Sequence, residues 1–469
     1  MKVVVLGGGP AGMAAALQSR TLNADVVLVE SKRVGGTSIN EGPAPVRTLA
    51  RAARLMRDVK SWETFGLKGI PPEIDIGLAI NNARRVALYA HEKKHLVEHL
   101  RSRGIEVFEG TGPAQFRDHH TVSVNDGRSW NGDKIIIAVG GHSRVPQIPG
   151  VELAMTYEDI WGLHALPETV AVIGAAATGC QLASILEDFG CKVTLIEFAS
   201  RIVPQEDEQI SLVLENAFRK RGIRIIANAL TERLERVSEG IEINYRAKET
   251  ADNLIADAVF FATGWTGNIE SLNLQEAQVN SERGYIPVNS FLQTNVPHIF
   301  AVGDVNGQSM LVQSARYEGR IAAENAILNH DRRFTHIIVP SGSFTDPEYA
   351  SVGLTEAEAR SKYDCATSVV DYHDLLRPVI DDHPDGFCKL VVDKKTHSIL
   401  GAHVVGEYSV EIIQMVAACM AGDMKVDQVA ELQLAVPTFT EAVGLAAQKI
   451  VRELKLAPLP EMWADPEPS

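Results

Sequence analysis

The sequence predicts an α/β fold in which one strand–glycine turn–helix–strand unit occurs twice, followed by a third region of different pattern. Three observations carry this. The β-branched run Lys2–Leu6 leads into Gly7-Gly8-Gly9-Pro10-Ala11-Gly12, which satisfies G-x-G-x-x-G. The run Thr169–Ile173 leads into Gly174-Ala-Ala-Ala-Thr-Gly179 in the same way. In each unit a second strand, Asp25–Val29 or Lys192–Ile196, ends on an acid, Glu30 or Glu197, about 20 residues past the glycines.

The first unit reads in order. After the glycines, Met13–Ser19 is a small-residue helix and Asp25–Val29 the next strand. Glycines here let the backbone approach a pyrophosphate, which sits on the positive end of the helix. A carboxylate at Glu30, next to Ser31, can accept from a ribose hydroxyl. Pro43 and Pro45 then start a helix over Val46–Val59, since first-turn N–H groups lack partners anyway. A long helix is expected over Ile76–Arg103, followed by the strand Ile105–Glu109. His91 and His95 on it match H-E-x-x-H, with His99 continuing the face. The helix is lysine-rich and no third ligand is indicated, so no metal is expected.

In the second unit the turn leads into a helix over Cys180–Phe189. Ala176 takes the place of the middle glycine and puts a methyl group where a pyrophosphate would approach most closely.

Composition bounds the class. A chain of 469 residues, 45% hydrophobic and 22% charged, is ordinary for a globular enzyme of two to four domains. A net charge of −15 argues against a nucleic-acid surface. No apolar run reaches membrane-spanning length, and the first strand starts at Lys2, so a cytoplasmic protein without membrane insertion is expected. The five cysteines, Cys180, Cys191, Cys365, Cys388 and Cys419, are scattered and absent from the first 179 residues, which reads as reduced, buried thiols.

Gly35-Gly36-Thr37-Ser38-Ile39-Asn40-Glu41-Gly42-Pro43-Ala44-Pro45-Val46-Arg47-Thr48 resembles the redox-active segment of the flavoprotein disulfide reductases, the dihydrolipoamide dehydrogenase, glutathione reductase and mercuric reductase family. Lys134–Gly141 with Val145–Gly150 resembles that family's exit from its first FAD segment, and Thr294–Asp304 its second FAD fingerprint. Glu197–Glu208 looks most like the dihydrolipoamide dehydrogenase branch. Phe344–Thr355, Gly386–Asp393 and Ile399–Gly406 resemble its dimerisation domain. The resemblance implies two Rossmann-like dinucleotide-binding domains plus a C-terminal α+β dimerisation domain. The expected boundaries are 1–148 and 271–338 for FAD, 149–270 for NAD(P) and 339–469 for dimerisation. A helix over Leu311–Asn329 would face the flavin pyrimidine, where its dipole favours negative charge. The tail after Leu456, rich in proline and acid, is expected to be loose.

The residues this implies for FAD are Gly7, Gly9, Pro10, Ala11, Gly12, Glu30, Ser31, Gly36, Thr37, Gly140, Gly303, Asp304, Leu311 and Val312. Those for NADH (or NADPH) are Gly174, Thr178, Gly179, Glu197 and Gly264. A homodimer is implied as well. The chain departs from the family chemically: Ser38 and Pro43 stand at the two cysteine positions, and Val436 stands at the acid–base histidine while Glu441 keeps the glutamate. Ala177 replaces a gating tyrosine. Arg47 and Gln181 replace a lysine–glutamate pair near flavin N5, so Arg47 is expected to act electrostatically, as a cation without its partner. With Glu441 it is the candidate catalytic residue. Arg47, Arg51 and Arg54 are spaced as one helical stripe, read as a guide for an anionic acceptor or regulator. The expected function is electron transfer from NADH through FAD to a non-thiol small-molecule acceptor. The alternative is a non-catalytic FAD/NAD-binding redox sensor or partner subunit.

Overall fold

A computed structural model of the chain describes residues 1–329, 332–335 and 338–460. Residues 461–469, most of the tail expected to be loose, lie outside them. The first sheet is parallel, with strands in the order Ile299–Ala301, Lys134–Ile137, Lys2–Leu6, Asp25–Val29 and Ile105–Phe108. Its four inner and return strands bury near-continuous apolar runs because both faces are covered, and the edge strand Ile105–Phe108 exposes Glu106. On one side lie the helices α1 (Pro10–Thr21) and, from nearly 300 residues on, Val312–Leu328. The strand Ile299–Ala301 thus returns the chain to the sheet that it left after Lys134–Ile137.

The second sheet repeats the arrangement: Arg224–Ile226, Lys192–Ile196, Thr169–Ile173, Ala258–Phe261 and Met155–Thr156, all parallel. Before Ala258 the chain forms an antiparallel meander, Ala229–Val237, Gly240–Ala247 and Thr250–Ala256. The middle strand alternates buried and half-buried residues, so its inner face packs Ile241, Ile243 and Tyr245 against Ala171, Ile173 and Phe261 of the second sheet. The third sheet is antiparallel: Ser341–Ser343, Tyr349–Gly353, Ile399–Val405, Phe387–Asp393 and Cys365–Asp371. Helices Ser409–Ala421 and Glu441–Glu453 share its core.

Four of the helix expectations shift. Helix α1 starts at Pro10 because proline, lacking an N–H, suits the first turn. The helix after the redox-like segment runs over Pro43–Asp58 and starts at proline for the same reason. The second-unit helix runs over Ala177–Asp188, directly out of its turn. The helix expected over Ile76–Arg103 is two, Ile76–Lys94 and Leu96–Ser102. They are separated by His95, whose left-handed backbone (φ 44°) caps the first.

Candidate active site

Where the first sheet meets the second and third, a cavity of about 1080 Å³ opens. Gly7, Gly9, Pro10, Ala11, Glu30, Ser31, Gly36, Thr37, Gly140, Gly303, Asp304, Leu311, Val312 and Thr178 all line it. Two stretches of backbone meet without side chains at its centre: a Cβ built on Gly36 would stand 2.7 Å from the Gly9 Cα. The predicted Gly12 does not line it. Instead it lets α1 close against the first strand, since a Cβ there would lie 1.8 Å from the Gly7 carbonyl oxygen. Gly179 stands in the same relation to Gly174, also at 1.8 Å. Gly174, Gly179, Glu197 and Gly264 lie outside the lining.

The two glycine turns are held alike. Glu30 Oε2 accepts from the Gly8 N–H at 2.6 Å and its Oε1 from the Lys32 N–H at 2.7 Å. Glu197 Oε2 accepts from the Ala175 N–H at 2.6 Å and its Oε1 from the Ala199 N–H at 2.7 Å. Ala176 (φ −78°, ψ −170°) has the extended backbone of Gly9 (φ −73°, ψ −173°), so the methyl group there costs no strain. Four residues past Glu197, Arg201 is anchored to its own loop. Its Nη2 donates to the carbonyls of Pro204 at 3.0 Å and Glu206 at 2.9 Å.

Two acids sit behind the return strand. Burial lifts the Asp304 carboxyl to about 6, and the group lines the cavity. Glu318, fully buried, is lifted to about 7 by burial. Its Oε2 accepts from the Gly303 N–H at 2.6 Å and from Asn306 Nδ2 at 2.7 Å, fixing the turn that carries Asp304. The sequence reading missed Glu318. Its place on the apolar helical face of Ala315, Ile321 and Ala322, three and four residues away, was the available signal.

The family model described as pyridine nucleotide-disulphide oxidoreductase matches residues 1–319, and its dimerisation domain matches residues 339–447. A dihydrolipoyl dehydrogenase of Zymomonas mobilis is 33% identical, over 94% of this chain and 96% of that protein. The chain belongs to this family. A glutathione reductase of a Nostoc species is also 33% identical, over 88% of this chain and 92% of its own. Among solved structures, the HOCl-induced flavoprotein disulfide reductase RclA from Escherichia coli superposes with a TM-score of 0.84 at 27% identity, covering 96% of this chain and 99% of that one. FAD and NAD(P)H are the cofactors of this family of oxidoreductases. The side-chain-free meeting of Gly9 and Gly36, the turn held by Glu30 and the carboxyl of Asp304 all fit FAD.

Within this family frame the redox-like segment is a short helix, Gly36–Asn40, followed by the helix that Pro43 opens. The Ser38 hydroxyl donates to the Gly35 carbonyl at 3.1 Å. All five cysteines are free and buried, and burial raises the thiol of Cys191 to about 11 and that of Cys388 to about 12. His91 bonds Asn40 Oδ1 through Nε2 at 2.7 Å, and the helix ends at His95.

The arginine expectation needs correction. Arg47 does have a charged partner: its Nη1 lies 3.1 Å from Glu348 Oε1, in the third unit. Gln181 instead accepts from the Phe344 N–H at 3.1 Å. Arg47 does not line the large cavity but a neighbouring one of about 390 Å³. Nor is the stripe a clear cationic track. Arg54 Nη1 lies 2.5 Å from Glu407 and its Nε 4.0 Å from Asp58, so of the three Arg51 stands exposed with no acid paired to it among the described residues. The acids come from remote segments, which a helix-face argument does not see. Glu441 opens the last helix and is absent from both cavities; burial raises its carboxyl. No described helix is long and apolar enough to cross a membrane.

Proposed function

We propose that the chain is an FAD-dependent NADH dehydrogenase that passes electrons to a non-thiol acceptor, such as a quinone, a dye, oxygen or a second nicotinamide, and works as a homodimer. In this reading residues 1–148 and 271–338 hold FAD, 149–270 hold the nicotinamide nucleotide and 339–469 form the dimer contact. The observation that carries it is the redox segment itself. Ser38 and Pro43 stand where a thiol pair would have to be, and every cysteine is buried and free.

When bound, FAD supplies the two-electron chemistry, accepting hydride from the reduced nicotinamide and yielding electrons to the acceptor. The chain supplies binding, orientation and charge. Glu30 and Glu197 hold the two turns against their helices, so each helix N-terminus stays aimed at a pyrophosphate. Glu318 holds the Gly303 turn and with it the Asp304 carboxyl in the cavity wall. Val436, exposed, stands at the place of the proton-donating histidine, so an acceptor would take its protons from solvent.

The competing reading is a non-catalytic redox sensor. The methyl group of Ala176, facing the place where a pyrophosphate would approach, is the feature that favours it; the backbone there carries the same extended conformation as Gly9. Anaerobic mixing of the FAD-loaded protein with NADH separates the two. Bleaching of the flavin absorbance followed by reoxidation with a quinone supports the enzyme, and an unchanged spectrum supports the sensor. Turnover of lipoamide or glutathione disulfide at the rate of dye reduction would refute the non-thiol reading.

A further inference from the structure

The wall between the two cavities carries an aromatic ring backed by an ion pair. Phe344 and Ile185 line both cavities, whereas Arg47 and Glu348 line only the smaller. The Arg47 guanidinium lies over the Phe344 ring, 3.6 Å from its centroid. Its Nη1 donates to Glu348 Oε1 at 3.1 Å. On the other side Gln181, itself part of the large cavity's lining, fixes the Phe344 backbone at 3.1 Å.

Each contact has a separate physical effect. A planar guanidinium stacks on an aromatic face and stays charged at any working pH. A carboxylate on its edge orients the plane by a charge-assisted hydrogen bond. It also offsets the charge: the Glu348 side chain is 13% exposed against 43% for Arg47, so solvent screens the acid less than the base. A cation near a redox group favours the form bearing negative charge, and a neutral pair does so far less.

We infer that Glu348 is a positioning residue of the redox centre: it holds the Arg47 guanidinium flat on Phe344, keeps that ring in the cavity wall, and balances the charge that the cavity feels. This rests on FAD occupying the large cavity and not on the identity of the acceptor.

The test uses the FAD-loaded full chain and reads the ratio of reduced to oxidised flavin at equilibrium with a reference dye of fixed potential. Glu348→Gln leaves Arg47 unbalanced and should raise that ratio about tenfold. Arg47→Gln should lower it several-fold, and the double variant should return to within about twofold of the unaltered protein. A purely structural role would move the melting temperature and leave the ratio alone. Unchanged ratios in both single variants would overturn the inference. If Glu348→Gln does not retain FAD, Arg47→Gln decides alone, and an unaltered ratio there overturns it too.

Discussion

The carboxylate of Glu197 accepts from the backbone N–H of Ala175 at 2.6 Å, as Glu30 does from Gly8 at 2.6 Å in the first unit. Glu197 therefore has two tasks, bracing the turn and presenting its remaining lone pairs at the end of Lys192–Ile196, where a ribose 2′-hydroxyl would donate. A 2′-phosphate there would meet a buried like charge, and Arg201 Nη2 is held by the Pro204 and Glu206 carbonyls. NADH should exceed NADPH in kcat/KM by roughly tenfold or more, as a repulsion of about 1–2 kcal/mol gives. Glu197→Ala should lower the NADH value and narrow the ratio. Equal efficiency with both nucleotides in the unaltered protein would contradict this.

Thiol chemistry should be dispensable. The cysteines are all buried, and burial keeps Cys191 and Cys388 protonated at neutral pH, so neither forms a reactive thiolate. Iodoacetamide at neutral pH should leave NADH-driven dye reduction within about twofold of the untreated rate. Loss of turnover in step with alkylation would show that a thiol takes part.

The arginines of the helix Pro43–Asp58 should separate by partner. Arg51 is exposed, and Arg51→Ala should leave both folding and the KM for an anionic quinone near their original values. Arg54 is 21% exposed and its partner Glu407 7%. Removing the base leaves the buried carboxylate without its arginine, with His383 Nε2 3.7 Å away, at a cost of roughly 2–3 kcal/mol. Thermal melting should fall by a few degrees for Arg54→Ala and barely move for Arg51→Ala. A salt-dependent rise in KM for anionic quinones alone, produced by Arg51→Ala, would restore the steering role.

What could be read from the sequence was what is local. The strands Lys2–Leu6, Asp25–Val29, Thr169–Ile173 and Lys192–Ile196 fall on their expected bounds, because apolar runs ended by glycine or acid leave little choice of register. The cavity lining was legible for the same reason, since glycine turns dictate where a backbone is approached. The partners of Arg47 and Glu318 were not. Glu348 lies 301 positions from Arg47, and the bond forms only because the third unit packs beside the redox-like segment. Family analogy pointed to the residue at 181, the right helix for a relative with lysine and glutamate, but here a glutamine turned toward Phe344. The break at His95 was hidden because histidine is a tolerable helix residue and nothing in the surrounding pattern marks a left-handed turn.

The buried acid Glu318 gives the protein a pH dependence of definite sign. Burial raises its folded-state value to about 7 from an ordinary 4.5, and Asp304 is raised to about 6. A carboxyl raised on folding binds its proton more tightly in the native chain, so its favourable contribution is complete below about 4.5 and is lost as pH rises through about 7. For Glu318 the loss is on the order of 3 kcal/mol at 1.36 kcal/mol per unit. Glu318→Gln keeps an oxygen to accept from the Gly303 N–H and removes the ionisation. Melts of the cofactor-free protein and the variant between pH 5 and pH 8 should therefore diverge. The variant should gain on the unaltered chain as pH rises, by several degrees at the upper end. A stability difference that stays constant across the series would mean that Glu318 is ionised in the fold at every pH, and that its bonds to Gly303 and Asn306 outweigh its burial.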